Sequence, residues 1–103
     1  MAPSKHVKNN FSSALKRARK SSGFSQEDFS VVSSRTYVSA LERGLKSPTL
    51  NKVDDLSETM DIHPLTLLSL AYLGDLRRSD VNALFVQVTR ELTKVLGIPN
   101  KID

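Results

Sequence analysis

Residues 25–43, which read SQEDFSVVSSRTYVSALER, constrain the fold of this chain more than any other stretch. Two short helices joined by a tight turn fit this stretch. Ser25 is a good N-cap for the first, and Ser33 and Ser34 can end that helix and cap the second. Gly44 then supplies a C-terminal stop. The stretch therefore predicts a helix-turn-helix.

The second of these helices has two faces of different chemistry. Val38 and Leu41 are spaced to point into the protein. The opposite face carries small, polar and basic side chains, namely Arg35, Thr36, Ser39 and Ala40. A face of this size with hydrogen-bonding groups fits the major groove of DNA. We therefore predict that these four residues contact base edges, with Arg35 and Thr36 as the leading pair.

Three short motifs, SQED at 25–28, RTYVSALERG at 35–44 and SPTL at 47–50, resemble the lambda-repressor/Cro-like (Xre) family. The second is most similar to controller-type regulators of restriction–modification systems. The resemblance spans roughly residues 11–71 and implies a five-helix DNA-binding domain. The VVSS connection at 31–34 is about two residues shorter than the family's usual Gly-containing turn. Either the first motif helix ends early or the turn is tighter.

The resemblance also implies contacts to DNA phosphates, because in this family the N-terminus of the first motif helix abuts a phosphate. The residues expected to contact phosphates are Ser25, Gln26, Tyr37, Arg43, Lys46, Asn51 and Lys52. Packing of Tyr37 on the first motif helix is an equal alternative. Glu42 matches a family position that pairs with an arginine of the first helix, so Arg17 or Arg19 is its expected partner.

Charge is distributed unevenly along the chain, which has a net charge of +4. Residues 1–48 hold nine Lys/Arg and three Asp/Glu, and residues 49–103 hold six and eight. The basic half, at +6, contains the helix-turn-helix, whereas the other half is at −2. This coincidence favours a polyanionic partner for the first half.

Hydrophobic spacing predicts an all-α chain with three parts. Residues 1–9 form a flexible N-terminal arm, residues 10–74 form the helix-turn-helix domain, and residues 79–97 form an added C-terminal helix. The segment 65–73 is apolar on nearly all sides, which exceeds what one face of such a small domain can bury. Another helix or a second chain must therefore cover the rest of this apolar surface.

The C-terminal helix carries a continuous apolar stripe that fits a two-fold dimer interface. The residues predicted for this interface are Leu70, Leu73, Val81, Leu84, Phe85, Val88 and Leu92. Packing of the same helix back onto 65–73 is an alternative, and both arrangements can hold at once. Dimerisation would let a short reading helix gain specificity from two half-sites.

Other classes of function find little support in the residues. The chain has no cysteine, and it shows no Gly-rich elbow, phosphate loop or histidine pair, so we expect no enzymatic activity, cofactor or metal. No secretory signal, membrane-spanning run or small-molecule site is visible, and we expect a cytoplasmic protein. The leading hypothesis is a transcriptional regulator, most simply a repressor, bound as a homodimer to a palindromic operator in double-stranded DNA. The alternative is an antitoxin or other protein-interaction module that uses the two C-terminal helices and binds DNA secondarily.

Overall fold

The structure, a computed structural model, describes residues 9–74 and 78–98. In these residues all regular secondary structure is helical, which confirms the predicted all-α class. The predicted arm at 1–9 lies outside the described residues except for Asn9, and so do residues 75–77 of the segment before the C-terminal helix.

Six helical segments follow one another along the chain. They are α1 (Phe11–Ser21), a 3₁₀ helix (Gln26–Phe29), α2 (Arg35–Glu42), α3 (Leu50–Thr59), α4 (Pro64–Leu73) and α5 (Arg78–Leu96). The first five confirm the predicted five-helix lambda-repressor-like domain, and α5 is the added C-terminal helix. The first motif helix is one turn of 3₁₀ helix, because its carbonyls accept from amides three residues on: Ser25 O from Asp28 N at 3.2 Å, and Glu27 O from Ser30 N at 3.0 Å. The short VVSS connection is thus accompanied by an early end of the first motif helix.

Side-chain caps fix where three of the helices begin. Ser34 Oγ accepts a hydrogen bond from Tyr37 N at 3.0 Å, and Thr49 Oγ1 accepts one from Lys52 N at 3.1 Å. The imidazole Nδ1 of His63 accepts from Leu65 N at 3.0 Å and so caps α4. Each cap satisfies an amide that the helix itself leaves without a partner.

The hydrophobic core lies where α1 packs against both α4 and α2, and where α3 packs against α4. Its buried members are Phe11, Ala14, Leu15, Ala18, Phe29, Val38, Leu41, Val53, Leu56, Met60, Leu67 and Ala71. Phe24 approaches Phe29 edge to face, with ring centroids 6.1 Å apart. These contacts seat the 3₁₀ helix and α2 on α1, and thereby fix the helix-turn-helix as one unit.

Among the described residues, helix α5 makes no extensive contact with another helix. Phe85, Leu92 and Val95 are exposed, Val95 to 80%. Helix α4 also leaves Leu65 and Tyr72 exposed while it buries Leu67 and Ala71. No described helix combines the length and apolar content that crossing a bilayer requires.

Candidate nucleic-acid interface

Helix α2 is held by its buried side and presents its other side to solvent. Val38 and Leu41 are fully buried, and the Ser34 cap fixes the first turn. Arg35 and Thr36 are both exposed in that first turn, as predicted for side chains that reach outward. Ser39 is half-buried one turn on, where its Oγ accepts a hydrogen bond from Arg43 Nε at 3.2 Å.

The prediction that Ala40 lies on the exposed face is wrong. Its exposed fraction is only 6%. Each residue advances about 100° around an α-helix, so Ala40 lies beside Leu41 at the flank of the buried stripe. Its short side chain is covered there and cannot reach a base edge. The outward face of α2 is therefore narrower than predicted and is centred on Arg35, Thr36 and Ser39.

An acidic side chain lies beside the leading predicted base contact. Arg35 Nη1 is 3.9 Å from Glu27 Oε2 of the 3₁₀ helix, and both side chains are largely exposed. An exposed ion pair at this distance contributes little to stability. The guanidinium lies near the outer edge of the 3₁₀ helix in this structure. No sequence pattern had indicated this pair.

The residues predicted to contact phosphates occupy different environments. Arg43, Lys46 and Asn51 are exposed around α2 and at the start of α3. Ser25 lies at the start of the 3₁₀ helix, where its N–H donates to Asp28 Oδ2 at 2.7 Å. Gln26 is half-buried, and its Nε2 donates to Glu42 Oε1 at 3.1 Å. The side-chain amide of Gln26 is thus engaged inside the protein in the DNA-free state.

Lys52 and Tyr37 are also engaged inside the protein. Lys52 Nζ donates to Val32 O at 2.5 Å and lies 5.6 Å from the centroid of the Tyr37 ring. Tyr37 is half-buried and packs against the hydrophobic core. The ammonium of Lys52 was predicted to lie against DNA, but in this structure it lies against the turn that precedes α2.

A buried ion pair joins α1 to the end of α2. Arg19 Nε and Nη2 donate to Glu42 Oε2 and Oε1 at 2.6 and 3.0 Å, so Arg19 is the partner that the sequence left open between Arg17 and Arg19. Burial raises the pKa of Glu42, but hydrogen bonds from Arg19 and Gln26 outweigh it, and the net pKa is lowered. The carboxylate is therefore charged at neutral pH, and its ion pair with Arg19 links the end of α2 to α1.

The residues predicted for the dimer interface form a partly open surface. Leu70 and Leu73 of α4 and Val81 and Leu84 of α5 are half-buried, whereas Phe85, Val88 and Leu92 are exposed. Helix α5 therefore offers the apolar stripe that the sequence predicted, and most of its outer length is accessible to solvent.

A family model described as HTH_3, helix-turn-helix, matches residues 15–67. The matched range begins in α1 and ends in α4, so it contains the 3₁₀ helix, α2 and α3. It covers just over half of the 103 residues. Comparison with curated proteins and with solved structures gave no match.

Proposed function

The chain belongs to the Xre/Cro-like helix-turn-helix family HTH_3, whose domains bind DNA and are not enzymes, and from this premise we propose that it is a sequence-specific transcriptional regulator. It binds an inverted-repeat operator as a homodimer and acts as a repressor where that operator overlaps a promoter. The observation that carries the proposal is the exposed first turn of α2, with Arg35 and Thr36 outward and Val38 and Leu41 buried behind them.

The two kinds of DNA contact have separate tasks in this proposal. Exposed basic residues such as Arg43 and Lys46 set affinity and register through phosphates. Arg35 suits a bidentate pair with O6 and N7 of guanine, worth about 1–3 kcal/mol of discrimination against the wrong base. Thr36 can donate a hydrogen bond or pack its methyl group on thymine. Regulation then follows from occupancy of the operator.

The apolar stripe of α5 supports the homodimer. Phe85, Val88 and Leu92 recur every three or four residues, the spacing that keeps side chains on one face of a helix. Their exposed fractions are 43, 36 and 53%. A run of exposed apolar side chains on one helix is a typical association surface, and a second α5 supplies a complementary stripe through two-fold symmetry. Two copies of α2 would then reach half-sites about 34 Å apart.

The likeness of residues 35–44 to controller-type regulators extends the proposal to that class. Such a protein acts on DNA in the cytoplasm, and its operator lies near the promoter of the genes that it controls. A footprint upstream of its own gene, together with neighbouring restriction and methyltransferase genes, would support this extension. A footprint elsewhere would limit the proposal to a regulator of another system.

Selection of bound duplexes from random DNA tests the proposed function directly. We expect an enriched palindrome whose half-sites lie about one helical turn apart. The selection must be run at a fixed ionic strength, for example about 150 mM, because phosphate contacts make affinity depend steeply on salt. Weak, salt-sensitive binding with no enriched sequence would overturn the proposal. Enrichment of a single half-site would retain sequence-specific binding and overturn the homodimer.

A further inference from the structure

Lys52 connects α3 to the turn that precedes α2. It is the third residue of α3 and is half-buried. Its Nζ donates to Val32 O at 2.5 Å and lies over the ring of Tyr37, 5.6 Å from the centroid. Val32 lies in the turn and Tyr37 in the first turn of α2. One ammonium therefore contacts both sides of the Ser34 cap.

Backbone hydrogen bonds and packing of Val32 on the core shape the turn itself. Val32 N and Ser33 N both donate to Phe29 O, at 2.9 and 2.8 Å, which closes the turn on the end of the 3₁₀ helix. The carbonyl of Val32 takes its donor from outside the turn, and Lys52 supplies it. A half-buried carbonyl that loses its donor is unfavourable, and a cation over an aromatic face is favourable. Both effects hold the turn against α3.

We propose that Lys52 is a positioning residue for the base-reading end of α2 and not a phosphate contact. The inference rests on the proposed function, since it concerns how Arg35 and Thr36 are aimed. These residues directly follow the Ser34 cap, so a shift of the turn moves both of them relative to the core. The lysine therefore holds the turn from α3, which lies outside the helix-turn-helix.

The two roles predict different DNA-binding behaviour. A phosphate contact adds affinity on every sequence, and its removal reduces the slope of log affinity against log salt by about 0.9. A positioning residue changes how well the correct sequence is distinguished from others. The measurable quantities are therefore this salt slope and the ratio of affinities for the selected operator and a scrambled duplex.

The experiment compares Lys52→Met with Lys46→Met, which removes the same charge from an exposed lysine. For Lys52→Met we expect the operator-to-scrambled ratio to fall at least about tenfold with the salt slope nearly unchanged. For Lys46→Met we expect the reverse, with a salt slope that is smaller by about 0.9 and an unchanged ratio. An equal loss of affinity on both duplexes with a reduced slope in Lys52→Met would overturn the inference.

A second measurement follows the wild-type protein and so does not depend on the folding of Lys52→Met. Tyr37→Leu serves only to assign the signal. The ring current of Tyr37 should shift the NMR signals of the Lys52 side-chain methylene next to the ammonium, and Tyr37→Leu should abolish that shift. We expect the shift to persist when operator is added. Its loss on operator binding would mean that the ammonium moves to the DNA, which overturns the inference. If the Lys52 signal stays shifted but the protein shows no preference for any DNA sequence, the proposed function is overturned. The contact between Lys52 and Tyr37 would then serve the fold alone.

Discussion

Arg19 and Glu42 lie 23 residues apart in the chain, yet two hydrogen bonds of 2.6 and 3.0 Å join their side chains. The same guanidinium donates from Nη1 to Phe24 O at 2.9 Å, and Gln26 Nε2 donates to the same carboxylate at 3.1 Å. The pair thus ties the end of α1, the entry to the 3₁₀ helix and the end of α2 together. It therefore fixes the position of the helix-turn-helix relative to α1.

Replacement of Glu42 by glutamine should destabilise the protein by about 3 kcal/mol. The side chains of Arg19 and Glu42 are only 11 and 4% exposed, so the variant leaves the arginine charge in a buried place without its counter-charge. Chemical denaturation at pH 7 measures the change. Glu58→Gln is the matched control, because Glu58 is exposed on α3. A loss for Glu42→Gln no larger than that of the control would contradict the prediction.

The same pair should make stability depend on pH in the acid range. The pKa of Glu42 is lowered in the folded protein, so the unfolded chain binds a proton at higher pH than the folded one does. Stability from this group is complete above the unfolded pKa of about 4.3 and is lost as pH falls through the folded pKa. The difference between wild type and Glu42→Gln should therefore shrink in denaturation series run from pH 7 to pH 3. A constant difference would refute this linkage.

Local chemistry explains which features the sequence could predict. Ser34 and Thr49 cap their helices through amides three residues on, so nearby sequence contains both partners. The buried spacing of Val38 and Leu41 is equally local. Ala40 was mispredicted because the width of a buried stripe depends on what packs against the helix, and one helix's sequence does not contain that information.

The contacts of Lys52 and Gln26 show the same limit. Both carry groups suited to phosphate, and residue type alone favoured that role. Their actual partners, Val32 O and Glu42 Oε1, lie 20 and 16 residues away, so only the packed fold brings them together. The short VVSS connection was a signal that the turn is unusual, but it did not identify the lysine that holds it.

Replacement of Ser57 by alanine should stabilise the protein by about 1 kcal/mol. Ser57 is fully buried in α3, and its Oγ has no hydrogen-bond partner among the described residues. Alanine removes this unpaired hydroxyl and also favours the helix. Thermal denaturation measures the gain, and Ser13→Ala, at an exposed position of α1, reports the helix-propensity part alone. A lower melting temperature for Ser57→Ala than for wild type would show that the hydroxyl has a partner in solution.

Replacement of Arg35 by alanine should relax base preference at one position of each half-site. The expected loss is about 1–3 kcal/mol for a bidentate contact, confined to that position. Lys46→Ala is the comparison, because Lys46 is exposed beyond the end of α2 and its loss is expected to weaken binding uniformly. Selection from random DNA with each variant gives the measurement. An unchanged motif for Arg35→Ala would exclude this arginine as a base contact.

Replacement of Leu92 by glutamate should separate the proposed dimer. Leu92 belongs to the apolar stripe of α5 and is 53% exposed, so a charge there would be desolvated in a dimer but not in a monomer. Light scattering should give twice the chain mass of 11.4 kDa for wild type and the single mass for the variant, with weaker operator binding. Ala83→Glu, on the opposite side of α5, should remain dimeric. A Leu92→Glu variant that stays dimeric and binds the operator with undiminished affinity would refute the α5 interface. A wild-type protein that is monomeric would favour the alternative in which the apolar stripe of α5 binds another protein.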